Sequence, residues 1–422
     1  MDSSTVVLII IGVMLVLYIT EIIPLAVTSI CACLALAIFK AIPLSAAFSG
    51  FGNDITYLAI GMMILGNTLF ETGVAQILGK KIISVVGTNE RVFAVAIILV
   101  TTALSLFIAN TATVALMLPV TASAVAVSNK KLSKKNTYMM VGMATVTSGV
   151  LTMVGSTPQL IAQSILREGG HETMGFFELS YIGLPMLLML IVYFQTIGFS
   201  LQNKVFNFED SADDTPADAA AEEAEPKSVV KMCIAVGAVV FCIVGFLAEL
   251  WTMGIVAIVG SVICIVTGCI SQKRVFQRMD WATIVILSCS FGIASGLESS
   301  GASRFIAQGI ISMLGDRITP WLLCAAFTLI GMIFTNFMSS TAMASILIPI
   351  AVFAANELGY DVKRVVLVTT IALSIGFATP ISTPPMTMTL SGGYRFMDYV
   401  KVGGLLNVLC FFLLLAMIPF FV

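Results

Sequence analysis

Four short polar clusters interrupt an otherwise apolar sequence: Asn110-Thr111-Ala112-Thr113, Ser156-Thr157-Pro158, Ser339-Ser340-Thr341 and Ser382-Thr383-Pro384. None contains an acid, a base or a thiol, so none holds an activated nucleophile or a general acid. What they offer is hydroxyl and amide groups beside helix-breaking sequence. Thr can cap a helix and Pro suits its first position, so Thr157-Pro158 and Thr383-Pro384 are each expected to open a half-helix. Half-helices are likewise expected to begin after the tips at Asn110 and Ser340. A helix N-terminus carries roughly half a positive charge and free backbone N–H groups. Four of them meeting at one place would bind an anion without any fixed cation. The preceding half-helices would end there with free carbonyls, and carbonyl, hydroxyl and amide oxygens are ligands for a hard cation. Anion and cation sites side by side imply that the two bind together.

The elements that position these clusters must be membrane helices. The chain has 422 residues, 59% hydrophobic and 10% charged, against roughly 25% charged in a soluble domain. Apolar runs near the length that crosses a bilayer core of about 30 Å lie at 6–19, 22–39, 55–70, 137–163, 180–200, 229–248, 250–270, 281–297, 363–392 and 403–421. Sliding the sequence on itself by 226–230 residues aligns Glu21 with Glu249, Gly73 with Gly301, Asn110 and Pro119 with Ser340 and Pro349, and Ser156-Thr157-Pro158 with Ser382-Thr383-Pro384. Several matches in order at a nearly constant offset mark an internal repeat. The expected organisation is an N-terminal repeat over 1–200, an acidic cytoplasmic linker over 201–228 and a C-terminal repeat over 229–422. Two further apolar stretches, 90–127 and 320–355, have polar tips at their centres and read as re-entrant hairpins, which are tolerated at membrane depth where they line a cavity. Each half then has five crossings and the second half is inverted. With both termini outside, only Lys40, Arg167, Arg304, Arg317, Lys363 and Arg364 of the 21 basic residues face outward, as the positive-inside rule requires. The fold class expected is therefore an all-α, multi-pass plasma-membrane protein of two inverted repeats, each with five transmembrane helices and one re-entrant hairpin, with broken helices at a central site. Such repeats are how many secondary transporters build a midplane site.

Other residues carry less. The nine cysteines lack metal-site spacing and read as small packing residues. His171 is the single histidine and lies in a polar loop with Glu172. Glu21 and Glu249 sit at short turns and read as interfacial caps, while Glu71 and Glu298 read as surface groups at helix ends. Segments 74–87 and 302–315 read as amphipathic helices on the membrane surface. The N-terminus has no basic lead, which argues against a cleaved signal peptide. Nothing in the chain points to nucleic acid or to an enzyme.

With these motifs placed, the chain resembles the divalent anion–sodium symporter family of the ion transporter superfamily, over residues 5 to 422. That family carries Ser-Asn-Thr at each hairpin tip, matched by IANTATVALMLP at 108–119 and TNFMSSTAMASILIP at 335–349. Its Gly-Thr-Pro-Pro and Ala-Thr-Pro-Pro segments are matched by Gly155-Ser156-Thr157-Pro158 and Ser382-Thr383-Pro384-Pro385. The resemblance implies a homodimer in membrane lipid whose transport domain moves like an elevator. It implies a small di- or tricarboxylate or sulfate as substrate, taken with Na⁺ or by exchange, and no other cofactor. Substrate contacts would fall to Asn110, Thr111, Ser156, Thr157, Ser340, Thr341, Thr383 and Pro384. Sodium contacts would fall to Ser105, Asn110 and Gly155 in one site, and to Thr335, Ser339, Ser340 and Ser382 in the other. Two positions depart from the pattern: Ala109 stands where the family has Ser, and Ser340 where it has Asn. Both weaken the expected sodium sites. The alternatives are an arsenite or Na⁺/H⁺ carrier of the same superfamily, although no acid sits at either tip, and a passive anion channel.

Overall fold

The computed structural model of the chain describes residues 3–20, 22–74, 77, 89–128, 132–206, 228–314 and 318–421, and the regular elements among them are helical. Glu21, most of 74–87 and the acidic stretch 207–227 lie outside the described residues. In the first half the main helices are α1 (Ser3–Thr20), α2 (Leu25–Ile38), α3 (Asp54–Glu71), α4 (Glu90–Ser105), α5 (Asn110–Val127), α6 (Lys134–Ser148), α7 (Thr157–Glu168) and α8 (Ser180–Val205). In the second they are α9 (Val229–Leu247), α10 (Met253–Val266), α11 (Gln272–Arg278), α12 (Trp281–Ser299), α13 (Ala302–Leu314), α14 (Pro320–Thr335), α15 (Ser340–Glu357), α16 (Val362–Ser374), α17 (Pro384–Met388) and α18 (Phe396–Phe421).

Two groups of helices pack within themselves and meet at the site. In one, α3 lies on α10, α2 on α12 and α9 on α10; in the other, α4 and α5 lie on α6, α14 and α15 on α16, and α6 on α17. They touch where α12 meets α15 and α7, and where α3 meets α7. Among the described residues five helices, α8, α9, α12, α15 and α18, are long and apolar enough to cross a membrane. Protein buries 72% of the apolar window of α15 but 22% of that of α18. An apolar helix left so uncovered needs apolar surroundings outside its own chain, whereas α15 runs through protein.

Residues 149–156 separate α6 from α7, and 375–383 separate α16 from α17. Local chemistry accounts for both interruptions. Gly149 and Gly155 approach so closely that a Cβ on Gly155 would stand 2.6 Å from the Gly149 carbonyl oxygen. Each restart has proline in its first turn, where a missing N–H costs no intrahelical bond.

Two expectations change here. Glu71 is a buried carboxylate, not a surface group: it pairs with Arg274 and, at 2.9 Å, with Arg278. Those arginines come from α11, two hundred residues away, so the end of α3 is clamped to the second half. Glu249 does not cap α10. It is exposed with φ 48, and the residue before α10 is Thr252.

Candidate functional site

The four polar clusters line one cavity of about 360 Å³. Asn110 and Thr111 start α5, Ser156 and Thr157 start α7, Ser340 and Thr341 start α15, and Thr383 and Pro384 start α17; all eight face this space. Of the residues singled out for a cation, Asn110, Gly155, Ser339 and Ser340 also line it, whereas Ser105, Thr335 and Ser382 are fully buried behind it. The opposite wall is built from Pro24, Leu25 and Ala26 of α2, Met62 and Met63 of α3, and Asp280 and Thr283 at the start of α12. Among the described lining residues Asp280 is the one charged group. Its carboxylate accepts from the Thr283 backbone N–H at 3.1 Å and hydroxyl at 2.6 Å.

The helix starts are open. Ala109, Ser156, Ser339 and Thr383 occupy the capping positions, and none of their side chains bonds to its own first turn. This corrects the expected role of the Ser-Thr-Pro pairs: Thr157 lies inside the first turn of α7, and Thr383 precedes α17 without capping it. The Thr383 hydroxyl is buried with no partner in the protein. Uncapped N–H groups and a positive helix end suit an anion.

The buried oxygens behind the tips are arranged differently in the two halves. In the first, Ser105 Oγ donates to Asn110 Oδ1 at 2.6 Å, and a Cβ on Gly149 would approach Asn110 Nδ2 to 2.9 Å and the Gly155 carbonyl oxygen to 3.2 Å. The Asn110 side chain thus stands between the Ser105 hydroxyl and the Gly149–Gly155 break, its oxygen toward Ser105 and its nitrogen toward the break. In the second, Thr335 Oγ1 donates to the Leu373 carbonyl at 2.9 Å, and Ser382 Oγ to those of Gly376 at 2.5 Å and Thr379 at 3.0 Å. The Ser340 N–H reaches the Ser382 carbonyl at 3.4 Å.

Three amide side chains that the sequence did not single out hold these segments. Asn336 donates to the Met332 carbonyl at 2.6 Å and accepts from Ala378 N at 3.0 Å, tying the second tip to the loop before α17. Asn407 of α18 accepts from Phe377 N at 3.1 Å. Gln159, fully buried in α7, donates through Nε2 to the Gly149 carbonyl at 3.0 Å and to Ser374 Oγ at 3.2 Å. A polar side chain within an apolar run is the available signal for all three, but their partners lie up to 215 residues away.

At the end of α7 away from the cavity, its last turn meets both halves. Arg167 pairs with Asp54 at 2.6 Å, and Asp54 also accepts from Thr252 Oγ1. Nearby, Lys363 pairs with Glu172 at 2.7 Å and Glu178 at 2.9 Å, which holds the Glu172 carboxyl below its usual range. His171, in the polar loop after α7, lies 3.2 Å from Asn356 through Nε2.

A sequence profile described as citrate transporter (CitMHS) matches residues 15–372. A Haemophilus influenzae protein described as an uncharacterized transporter is 27% identical, over 94% of this chain and 87% of its own. The sodium-dependent dicarboxylate transporter SdcS of Staphylococcus saprophyticus is 21% identical, over 96% of this chain and 83% of its own. Among solved structures, the YdaH transporter of Alcanivorax borkumensis is similar with a TM-score of 0.66 at 11% identity, covering 91% of this chain and 88% of that one. MtrF of Neisseria gonorrhoeae, described as illuminating a class of antimetabolite efflux pumps, is similar with a TM-score of 0.58 at 11% identity, covering 100% of this chain and 95% of that one.

Proposed function

The chain belongs to the citrate transporter family, and from that membership we propose that it carries a small di- or tricarboxylate across a membrane at the 360 Å³ cavity. It is a secondary transporter of the citrate and dicarboxylate family and not an enzyme. The observation that supports the substrate reading is the cavity itself: the uncapped starts of α5, α7 and α15, the partnerless Thr383 hydroxyl beside α17, and no basic side chain among the described lining residues. Carboxylates bound there take backbone N–H groups and the hydroxyls of Thr111, Ser156, Thr157, Ser340, Thr341 and Thr383, with Asn110 as the amide donor and Pro384 shaping the start of α17.

In this reading the halves 1–200 and 229–422 are inverted repeats joined by the acidic linker, and α4–α5 and α14–α15 are re-entrant hairpins. Both termini lie outside, the protein spans the plasma membrane many times, and it works as a homodimer. The cavity wall formed by Pro24 and Asp280 then lies toward the cytoplasm, and the Arg167–Asp54–Thr252 contact lies on the outer side. The group α4–α7 with α14–α17 moves against the group α1–α3 with α9, α10 and α12, as an elevator.

A dianion entering a negative-inside cell works against about 2.3 kcal/mol per charge at 100 mV. Sodium bound at Ser105, Asn110 and Gly155 offsets that cost, with a weaker contribution from Thr335, Ser339, Ser340 and Ser382. The sodium dependence of a relative such as SdcS supports this coupling. The test is a melting-temperature screen of succinate, malate, citrate, sulfate and arsenite, each with and without sodium, followed by uptake into proteoliposomes. Stabilisation by a carboxylate and sodium-stimulated, saturable uptake are expected. Non-saturating flux without trans-stimulation would mean a channel, and stabilisation by arsenite alone a different carrier.

A further inference from the structure

We infer that Gln159 is a positioning residue that couples the two tips of the site, holding the first-half helix break and the second-half helix end in one register. This inference rests on the anion-carrier reading above. Gln159 is fully buried in the first turn of α7. Its Nε2 donates to two acceptors from different halves: the Gly149 carbonyl, just past α6, at 3.0 Å, and Ser374 Oγ, the last residue of α16, at 3.2 Å. Each acceptor leads to one of the oxygen clusters. Gly149 packs against Asn110 Nδ2 and the Gly155 carbonyl. Leu373, next to Ser374, gives its carbonyl to Thr335. Gln159 Nε2 thus joins a segment beside Asn110 to the helix end beside Thr335.

Two further observations separate this from ordinary packing. The Gln159 Oε1 is buried with no partner in the protein. A buried amide that leaves its acceptor unmet is costly to keep, and an apolar side chain of similar volume would avoid that cost. The arrangement is also one-sided. At the repeat offset of 226 that aligns Thr157 with Thr383, Gln159 falls on Pro385, which has no donor at all. The second half cannot make the reciprocal bond, so whatever coupling this geometry carries depends on Gln159.

Two variants test it in the full-length protein. Gln159→Met keeps the length and loses both donors. Gln159→Glu can donate to the Gly149 carbonyl only when protonated, so acid should restore what Met cannot. In proteoliposomes, with succinate or citrate, Gln159→Met should raise KM about tenfold while maximal rate stays within about twofold. Burial without a countercharge raises a carboxyl well above its ordinary value, so relative to the parent at each pH Gln159→Glu should be closer to normal at about pH 5.5 and about tenfold weaker at about pH 8.5. A fall in maximal rate and melting temperature at unchanged KM would reduce Gln159 to a structural role and overturn the inference. So would parent-like kinetics in both variants. If the parent itself moves no carboxylate, the carrier reading fails and hydrogen exchange still decides the coupling: Gln159→Met should speed exchange about tenfold in both 149–156 and 375–382, and unchanged exchange in 375–382 would overturn it.

Discussion

The first-half and second-half tips occupy equivalent positions in the sequence but are not equivalent as binding surfaces. At the first, Asn110 begins α5, faces the cavity and holds Ser105 within 2.6 Å. At the second, Ser340 stands in that place, and the nearby amide, Asn336, is consumed by Met332 and Ala378 inside the protein. The restarts differ in the same direction. α7 has one proline in its first turn, whereas α17 begins with Pro384 and Pro385, and its next N–H, of Met386, already bonds to the Thr383 carbonyl at 3.0 Å. The first half therefore leaves more backbone N–H groups at its helix restart, while the second half uses Thr335, Asn336 and Ser382 to fix its own loops and leaves the Thr383 hydroxyl without a partner. Repeat symmetry in sequence thus predicts where a site lies, but not how its binding energy is divided.

The largest expected effect tests that division. On the proposed reading Asn110 donates to the charged substrate and ligates the cation, so Asn110→Ala removes both contacts, and hydrogen bonds to charged groups are worth about 1.5–3 kcal/mol. Substrate affinity should fall between about ten- and a hundredfold, while Ser340→Ala costs within about threefold. Titrating both purified variants by melting-temperature shift gives the ranking, and the reverse order would break the comparison. Next comes Thr383→Val. Because its hydroxyl bonds to nothing in the protein, the variant should keep the parent melting temperature and lose about tenfold in substrate affinity. A lower melting temperature with intact affinity would mean the hydroxyl serves the fold.

A gain-of-function variant sharpens the same point. Ala109→Ser with Ser340→Asn supplies the two missing side-chain ligands and should lower the half-saturating sodium concentration for uptake about three- to tenfold. Steep, tightly saturating sodium activation already present in the parent would show that neither side chain is needed. The smallest effect concerns the outer face, where Lys363 of the second half holds Glu172 and Glu178 of the first. The hydrogen bond and charge of Lys363 keep the Glu172 carboxyl below its ordinary value of 4.5. Its contribution is complete above that value and fades as pH falls through the lowered one. Exposed pairs contribute little, so a slight extra drop in melting temperature in acid should be seen in the parent and vanish in Glu172→Gln.

The positions of the site's polar residues were legible because a hydrocarbon solvent penalises every unneeded hydroxyl or amide. Asn110, Ser156, Ser340 and Thr383 stand out against their apolar neighbours for that reason, and Pro158 and Pro384 mark where helices restart. The roles of individual groups were less legible. Glu71 at a helix end looked like any surface acid, and only the arrival of Arg274 and Arg278 from α11 makes it a buried ion pair. Thr157 and Thr383 looked like caps, yet their neighbourhoods leave both capping positions without side-chain bonds.

By itself, then, the amino-acid sequence determined the membrane class and the residues that gather at the cavity. Those follow from local rules: apolar length, proline and glycine chemistry, and the cost of a polar group in an apolar run. Only the tertiary structure decided which of those polar groups are spent and which are available. Asn336 is satisfied within its own half, the Thr383 hydroxyl is left unmet, and Gln159 reaches Ser374 across 215 residues of chain. The physical reason is that a hydrogen bond requires both partners within about 3.5 Å at a usable angle, and the packing of α7 against α15 and α16, rather than any local pattern, brings such partners together.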